Sequence, residues 1–193
     1  SMFDLDPGLP VVLVMGGSQG AQGLNRAVAA ALERIRHGDR RVQFLHLTGP
    51  DDEVLMRSLY ATEGIPAKVL PFCRQMEAAY GACDVVVMRS GAASLTEVAW
   101  FGLPSILIPL PTAADDHQTL NARVFERAGA AYLLPQSELV DGMKLAQALE
   151  RVLKDDHVRT GMAAKASTLA VRDSADRVAA VVSELRRVRR VAA

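Results

Sequence analysis

This sequence predicts a doubly wound α/β domain built on a mainly parallel sheet of six strands. Three observations carry that reading: short β-branched runs that are apolar at every position, amphipathic stretches between them, and polar or small-residue loops just after the strands. Strands apolar on both faces belong in a sheet covered by helices on both sides. Strand–helix alternation then calls for right-handed crossovers and a parallel sheet.

The elements follow in order. Residues 1–10 read as a cloning scar (Ser1 ahead of Met2) and a linker, with DPGLP at 6–10 as a turn. VVLVM (11–15) is the first strand, and a helix follows near 20–35. VQFLHL (42–47) precedes a helix near 52–63, and AKVLPF (67–72) precedes one near 74–81. DVVVM (84–88) leads to a helix near 93–101, and PSILIPL (104–110) to one near 118–128. AAYLL (130–134) is the last strand, with helical segments near 141–154, 157–170 and 173–190 beyond it. The domain proper is assigned to 11–170, and 171–193 to a C-terminal helix with a basic end. That end, RRVRR at 186–190, reads as a solvated terminus ahead of a docking surface for acidic lipid or protein.

Composition removes several classes of function. Lys and Arg together number 22 and so do Asp and Glu, which argues against a nucleic-acid binder. Half the residues are hydrophobic, too many for a disordered chain and enough, over 193 residues, for one domain with a real core. No secretory signal opens the chain, and no apolar run approaches the ~18 residues of a spanning helix. Cys73 and Cys83 have neither zinc spacing nor a disulfide-framework count and read as reduced thiols of a cytosolic protein.

In a doubly wound sheet, ligands bind beyond the carboxyl ends of the strands, where strand order reverses. The loops there carry the chemistry. MGGSQGAQGLN (15–25) lets backbone approach a ligand at Gly16, Gly17 and Gly20, adds donors at Ser18 and Gln19, and opens a helix whose first amides suit an anion. A simple tight turn is the competing reading; neither the GxGxxG nor the P-loop pattern is present.

RSGAASLTE (89–97) poses a sharper choice. Ser94 and Glu97 have the spacing of a capping box, each satisfying the other's backbone amide. The same residues also suit a nucleotide, with amides near Ala92–Ser94 on a diphosphate and Glu97 accepting from both ribose hydroxyls. PTAADDHQTLNA (111–122) supplies Asp116 and Gln118, planar polar groups fit for sugar hydroxyls, or a helix cap at Asp115 or Asp116. Adjacent Asp-Asp-His residues in one loop rarely converge on one ion, so no metal site is assigned. PFCRQM (71–76) offers Phe72 or Met76 to a base and the Cys73 backbone to its edge, although such side chains are commonly core. His46, in LHLTG, reads as a packed strand histidine ahead of a catalyst.

Together, GGSQGAQGLN, HLTG, RSGAASLTEVAWFGLPSILIPLPTAADDHQTLNA and ERAGAA resemble the C-terminal half of the MurG family in order and spacing, over nearly the whole chain. That family transfers N-acetylglucosamine to lipid I in bacterial peptidoglycan synthesis. The resemblance implies the C-terminal, Rossmann-like half of a GT-B glycosyltransferase. It implies binding of UDP-N-acetylglucosamine with no further cofactor, and peripheral association of the full enzyme with the cytoplasmic face of the inner membrane. It places uracil at the Cys73 backbone near Met76 and ribose at Glu97. The diphosphate falls to Gly17, Ser18, Gln19, Ser90 and the Ala92, Ala93 and Ser94 amides, and the sugar to Ala92, Asp116 and Gln118. The family's N-terminal domain, with its acceptor loops for lipid I and its general base, has no counterpart here, so no catalytic residue is assigned.

Three other readings compete. Another GT-B UDP-sugar transferase, such as a galactolipid synthase, shares this half, and a non-catalytic UDP-sugar-binding module would regulate a partner. An NAD-dependent dehydrogenase is poorly supported, since no acidic residue closes the second strand.

Overall fold

The computed structural model describes residues 2–17, 21–39 and 41–191, with side chains up to residue 184. Six parallel strands form one sheet: β1 (Val11–Met15), β2 (Gln43–Leu47), β3 (Ala67–Leu70), β4 (Val85–Met88), β5 (Ser105–Leu107) and β6 (Ala131–Leu133). Their order across the sheet is β3-β2-β1-β4-β5-β6, so the winding reverses between β1 and β4. Among the described residues, eight α-helices accompany them: α1 (Gln22–Arg36), α2 (Glu53–Thr62), α3 (Met76–Ala82), α4 (Ala92–Phe101), α5 (His117–Ala128), α6 (Met143–Lys154), α7 (Asp156–Thr168) and α8 (Ser174–Val191).

The two apolar faces read from the strands become two cores. Val12 and Val14 of β1 and Val85 and Val87 of β4 pack with α1, α2 and α6 on one side. Leu13 and Met15, with Val86 and Met88, pack with α3, α4 and α5 on the other. Each such side chain, once fully buried, contributes about 1.5–3 kcal/mol, which is why polar positions are scarce in these strands.

Register aligns the loops. Met15 is opposite both Leu47 and Met88, Leu47 opposite Leu70, Met88 opposite Leu107, and Leu107 opposite Leu133. The chain therefore leaves all six strands in one layer, and the loops after β1 and β4 emerge side by side at the reversal.

Several boundaries differ from the sequence reading, and three of them bear on the rim or the packing. The fifth strand ends at Leu107, not 110: Pro109 has no N–H for a ladder, and the Arg89 guanidinium takes the Ile108 and Pro109 carbonyls, both at 3.0 Å. The third ends at Leu70 because Pro71 and Phe72 already belong to the rim loop. Residues 3–9, read as linker, pack on the domain instead. Phe3 is buried, and Gln43 accepts from the Asp6 amide at 2.9 Å while donating to the Asp6 and Leu9 carbonyls. Beyond Ala170 every described side chain to residue 184 is exposed; the side chains of RRVRR (186–190) lie outside those described.

Candidate functional site at the sheet reversal

The centre of the site is the β4–α4 junction. Gly91, with φ −66° and ψ 141°, is the N-cap of α4, and no side chain caps the helix. The first helical bond runs from the Leu95 amide to the Gly91 carbonyl at 3.0 Å. The amides of Ala92, Ala93 and Ser94 consequently have no acceptor within the helix, and the side chains of Ala92 and Ala93 are small and exposed. Three aligned amides at the positive end of a ten-residue helix are an arrangement that favours a nearby negative charge.

This geometry removes one of the two readings of Ser94 and Glu97, the capping box. A capping box needs its serine outside the helix, at the cap. Ser94 is the third residue within α4, so the box is not formed. Glu97 is exposed, and one of its oxygens, Oε2, accepts a 2.7 Å hydrogen bond from the Tyr80 hydroxyl. Ala93 and Glu97 are four residues apart and lie on the same helix face, about 6 Å apart along the axis.

The other expected residues are distributed around this junction. Gly17 leaves β1 with φ 108°, a left-handed region open to glycine. Ser18 and Gln19, and Gly20 beside them, lie outside the described residues. A methyl at Gly16 would sit 2.3 Å from the Ala21 Cβ, so the turn into α1 leaves no room for one. Ser90 is fully buried, its hydroxyl donating to the Gln118 carbonyl at 2.8 Å and its carbonyl accepting from Asn121 Nδ2 at 3.1 Å. It therefore braces α5 against the junction. The Gln118 side chain accepts from the Leu110 amide at 3.0 Å through Oε1, which leaves its Nε2 donor for a ligand.

Asp115 and Asp116 have φ 50° and 52°, consecutive non-glycine residues in the left-handed region. Such backbone costs of order 1–3 kcal/mol per residue and gathers at ligand sites. Asp116 caps no amide of α5; it is exposed, and its Oδ1 accepts from the Thr119 hydroxyl at 2.6 Å. Cys73 is buried in the loop after β3, where its amide and carbonyl bond to no described residue. Met76 is half-buried as the first residue of α3, and Phe72 beside them is 54% exposed.

Two residues that sequence reasoning passed over sit beneath the rim. Tyr80 is one. The other is Arg89, only 7% exposed, whose guanidinium is held by the two carbonyls after β5 and by Gln136 Oε1 at 2.6 Å. Among the described residues no carboxylate pairs with it and its Nε has no partner, and burial lowers its pKa. A cation flanked only by dipoles leaves a positive field under the junction. Arginine directly after a β-branched strand was the available signal.

His46 is confirmed as a packed residue. Its Nδ1 accepts from Tyr60 (3.1 Å) and its Nε2–H donates to Asn25 Oδ1 (3.0 Å), while Asn25 Nδ2 holds the Thr48 carbonyl and Asp52. Complete burial pushes its pKa from 6.5 down to about 3. The unfolded chain therefore takes up a proton that the native state refuses. The stability His46 contributes is full above pH 6.5 and is lost as pH falls towards 3, at about 1.4 kcal/mol per pH unit. Urea unfolding of the wild type should lose about 2 kcal/mol more than His46→Gln between pH 7 and pH 5. Parallel pH profiles for the two proteins would rule this out.

Comparison with known proteins agrees with the fold. Residues 11–178 match the model of the glycosyltransferase family 28 C-terminal domain. A UDP-N-acetylglucosamine–N-acetylmuramyl-(pentapeptide) pyrophosphoryl-undecaprenol N-acetylglucosamine transferase from Sorangium cellulosum is 43% identical over 181 residues, 93% of this chain and 44% of the relative. The protein of the same name from Methylococcus capsulatus is 45% identical over 173 residues, 90% of this chain and 48% of its own. The crystal structure of Acinetobacter baumannii MurG superposes with a TM-score of 0.83 at 30% identity, covering 93% of this chain and 54% of that one. The spinosyn rhamnosyltransferase SpnG, at 21% identity and a TM-score of 0.65, shares the fold. The chain thus spans about half the length of the curated relatives it matches. It belongs to the glycosyltransferase family 28 C-terminal domain family.

Proposed function

We propose that this chain is the donor-binding half of an inverting N-acetylglucosaminyltransferase that converts lipid I to lipid II, and that it binds UDP-N-acetylglucosamine. The observation that carries the reading is the Gly91-capped start of α4, with three free amides at the sheet reversal and Glu97 one turn along the same face. The diphosphate lies on the amides of Ala92, Ala93 and Ser94 and beside the Gly17 loop, with Ser18 and Gln19 as further donors there. Glu97 accepts from the ribose hydroxyls. Uracil rests by Met76 and Phe72 with its edge on the Cys73 backbone, and the sugar meets Ala92, Asp116 and Gln118.

Displacement at the anomeric carbon leaves negative charge on the departing diphosphate. Amides fixed in a helix start stabilise that charge without reorganising, and the α4 dipole and the Arg89 field act in the same direction. The base that deprotonates the lipid hydroxyl belongs to the acceptor half. The substrate's lipid tail puts the complete enzyme at the cytoplasmic membrane face. Among the described residues, no helix is long and apolar enough to cross a membrane.

Glu97→Ala tests the site. Losing a hydrogen-bonded charge from the ribose should weaken UDP binding by about 1.5–3 kcal/mol in calorimetry. With no capping role to lose, the unfolding free energy from urea titration should fall only by the cost of leaving the Tyr80 hydroxyl without its acceptor, about 1–3 kcal/mol. Unchanged affinity would remove Glu97 from the site.

A further inference from the structure

Glu97 stands on an exposed helix face, yet a ribose-reading carboxylate has to be held at one angle. A free glutamate side chain has rotamer freedom to lose when it is fixed, and a group that already holds it lowers that cost on binding. The holding group is Tyr80. Tyr80 is 2% exposed, and its ring lies 5.2 Å from that of Phe101, four residues beyond Glu97 on α4. Its hydroxyl lies 2.7 Å from Glu97 Oε2 and 3.4 Å from the Met15 sulfur, at the end of β1. Tyr80 thereby ties α3, α4 and the β1 rim to one carboxylate.

We infer that Tyr80 is a positioning residue: it presents Glu97 to the ribose hydroxyls and so sets the preference for ribonucleotide over deoxyribonucleotide donors. The inference rests on the ribose assignment of Glu97 proposed above. An ionised carboxylate offers about four acceptor sites; one serves Tyr80, which leaves enough for both ribose hydroxyls. Burial, and then the neighbouring carboxylate, raise the Tyr80 pKa, so the phenol stays a donor wherever the domain is folded. Tyr80 and Met76 are four residues apart on α3. One face of that helix would thus serve ribose and base together.

The test compares UDP with 2′-deoxy-UDP in calorimetry. The wild type should prefer UDP. Tyr80→Phe keeps the ring against Phe101 and should narrow that preference by about threefold or more. In a Glu97→Ala background the same substitution should change nothing. A wild type without the preference would refute the ribose assignment itself. A wild-type preference that survives intact in Tyr80→Phe, or falls equally in the Glu97→Ala background, would overturn the role of Tyr80 alone. A crystal structure of the wild-type UDP complex provides a check that needs no variant. Tyr80 should still hold one Glu97 oxygen while ribose meets the carboxylate, and a carboxylate swung away from Tyr80 would overturn the inference.

Discussion

Residues 1–193 alone, incubated with labelled UDP-N-acetylglucosamine and a lipid I analogue, should yield no lipid-linked disaccharide; slow release of free sugar is the most expected. Holding donor and acceptor in a near-attack geometry is worth ~7–11 kcal/mol, or roughly five to eight powers of ten in rate. The chain provides one side of that arrangement. The curated relatives are about twice its length, and the half they add is the source of the acceptor site and base in this reading. Supplying the N-terminal half of the Methylococcus relative, fused or separate, should restore transfer. Robust turnover by residues 1–193 alone would place acceptor site and base within this chain. His46 would be a poor candidate, since both ring nitrogens are engaged and burial keeps it neutral. His117, exposed at the start of α5, would then be the residue to test.

The strands were legible because burial on both faces leaves a simple mark, and their order followed from alternation with helices. Their ends were not. The run 104–110 is apolar throughout, and only the distant Arg89 side chain takes the carbonyls that a longer strand would have paired. At the site, the junction after β4 was legible as a helix start, but its capping was ambiguous. Ser94 and Glu97 have a box's spacing whether the helix begins before or after the serine, and placing the cap at Gly91 resolved it. Tyr80 was hidden for another reason: a tyrosine among alanines on a short helix reads as core, and its hydroxyl's partner lies 17 positions away. The left-handed pair Asp115–Asp116 left no mark, since aspartate is common in ordinary turns.

Gly142 was equally silent, and it carries the largest stability prediction. It opens α6 with φ 71°, and a Cβ built there would lie 2.2 Å from the Ala30 carbonyl oxygen and 2.4 Å from the Ala31 amide nitrogen of α1. These are backbone atoms in the middle of a helix, so neither can turn aside. Nor can α6 easily withdraw, since Leu145, Leu149, Val152 and Leu153 are buried beneath it and Asp141 receives Arg34 from α1. Gly142→Ala combines left-handed strain, of order 1–2 kcal/mol, with overpacking of about 1–3 kcal/mol. A loss of about 2–5 kcal/mol is a large fraction of a domain's stability. Gly64→Ala separates the two contributions: φ is 64° there, but a Cβ would meet nothing within 4 Å. It should cost only the strain. Urea unfolding should rank the proteins wild type, Gly64→Ala, Gly142→Ala, with the second step at least as large as the first. Equal midpoints for the two variants would mean that α6 can slide off the α1 backbone at little cost, and that the close approach at Gly142 does not fix the pair.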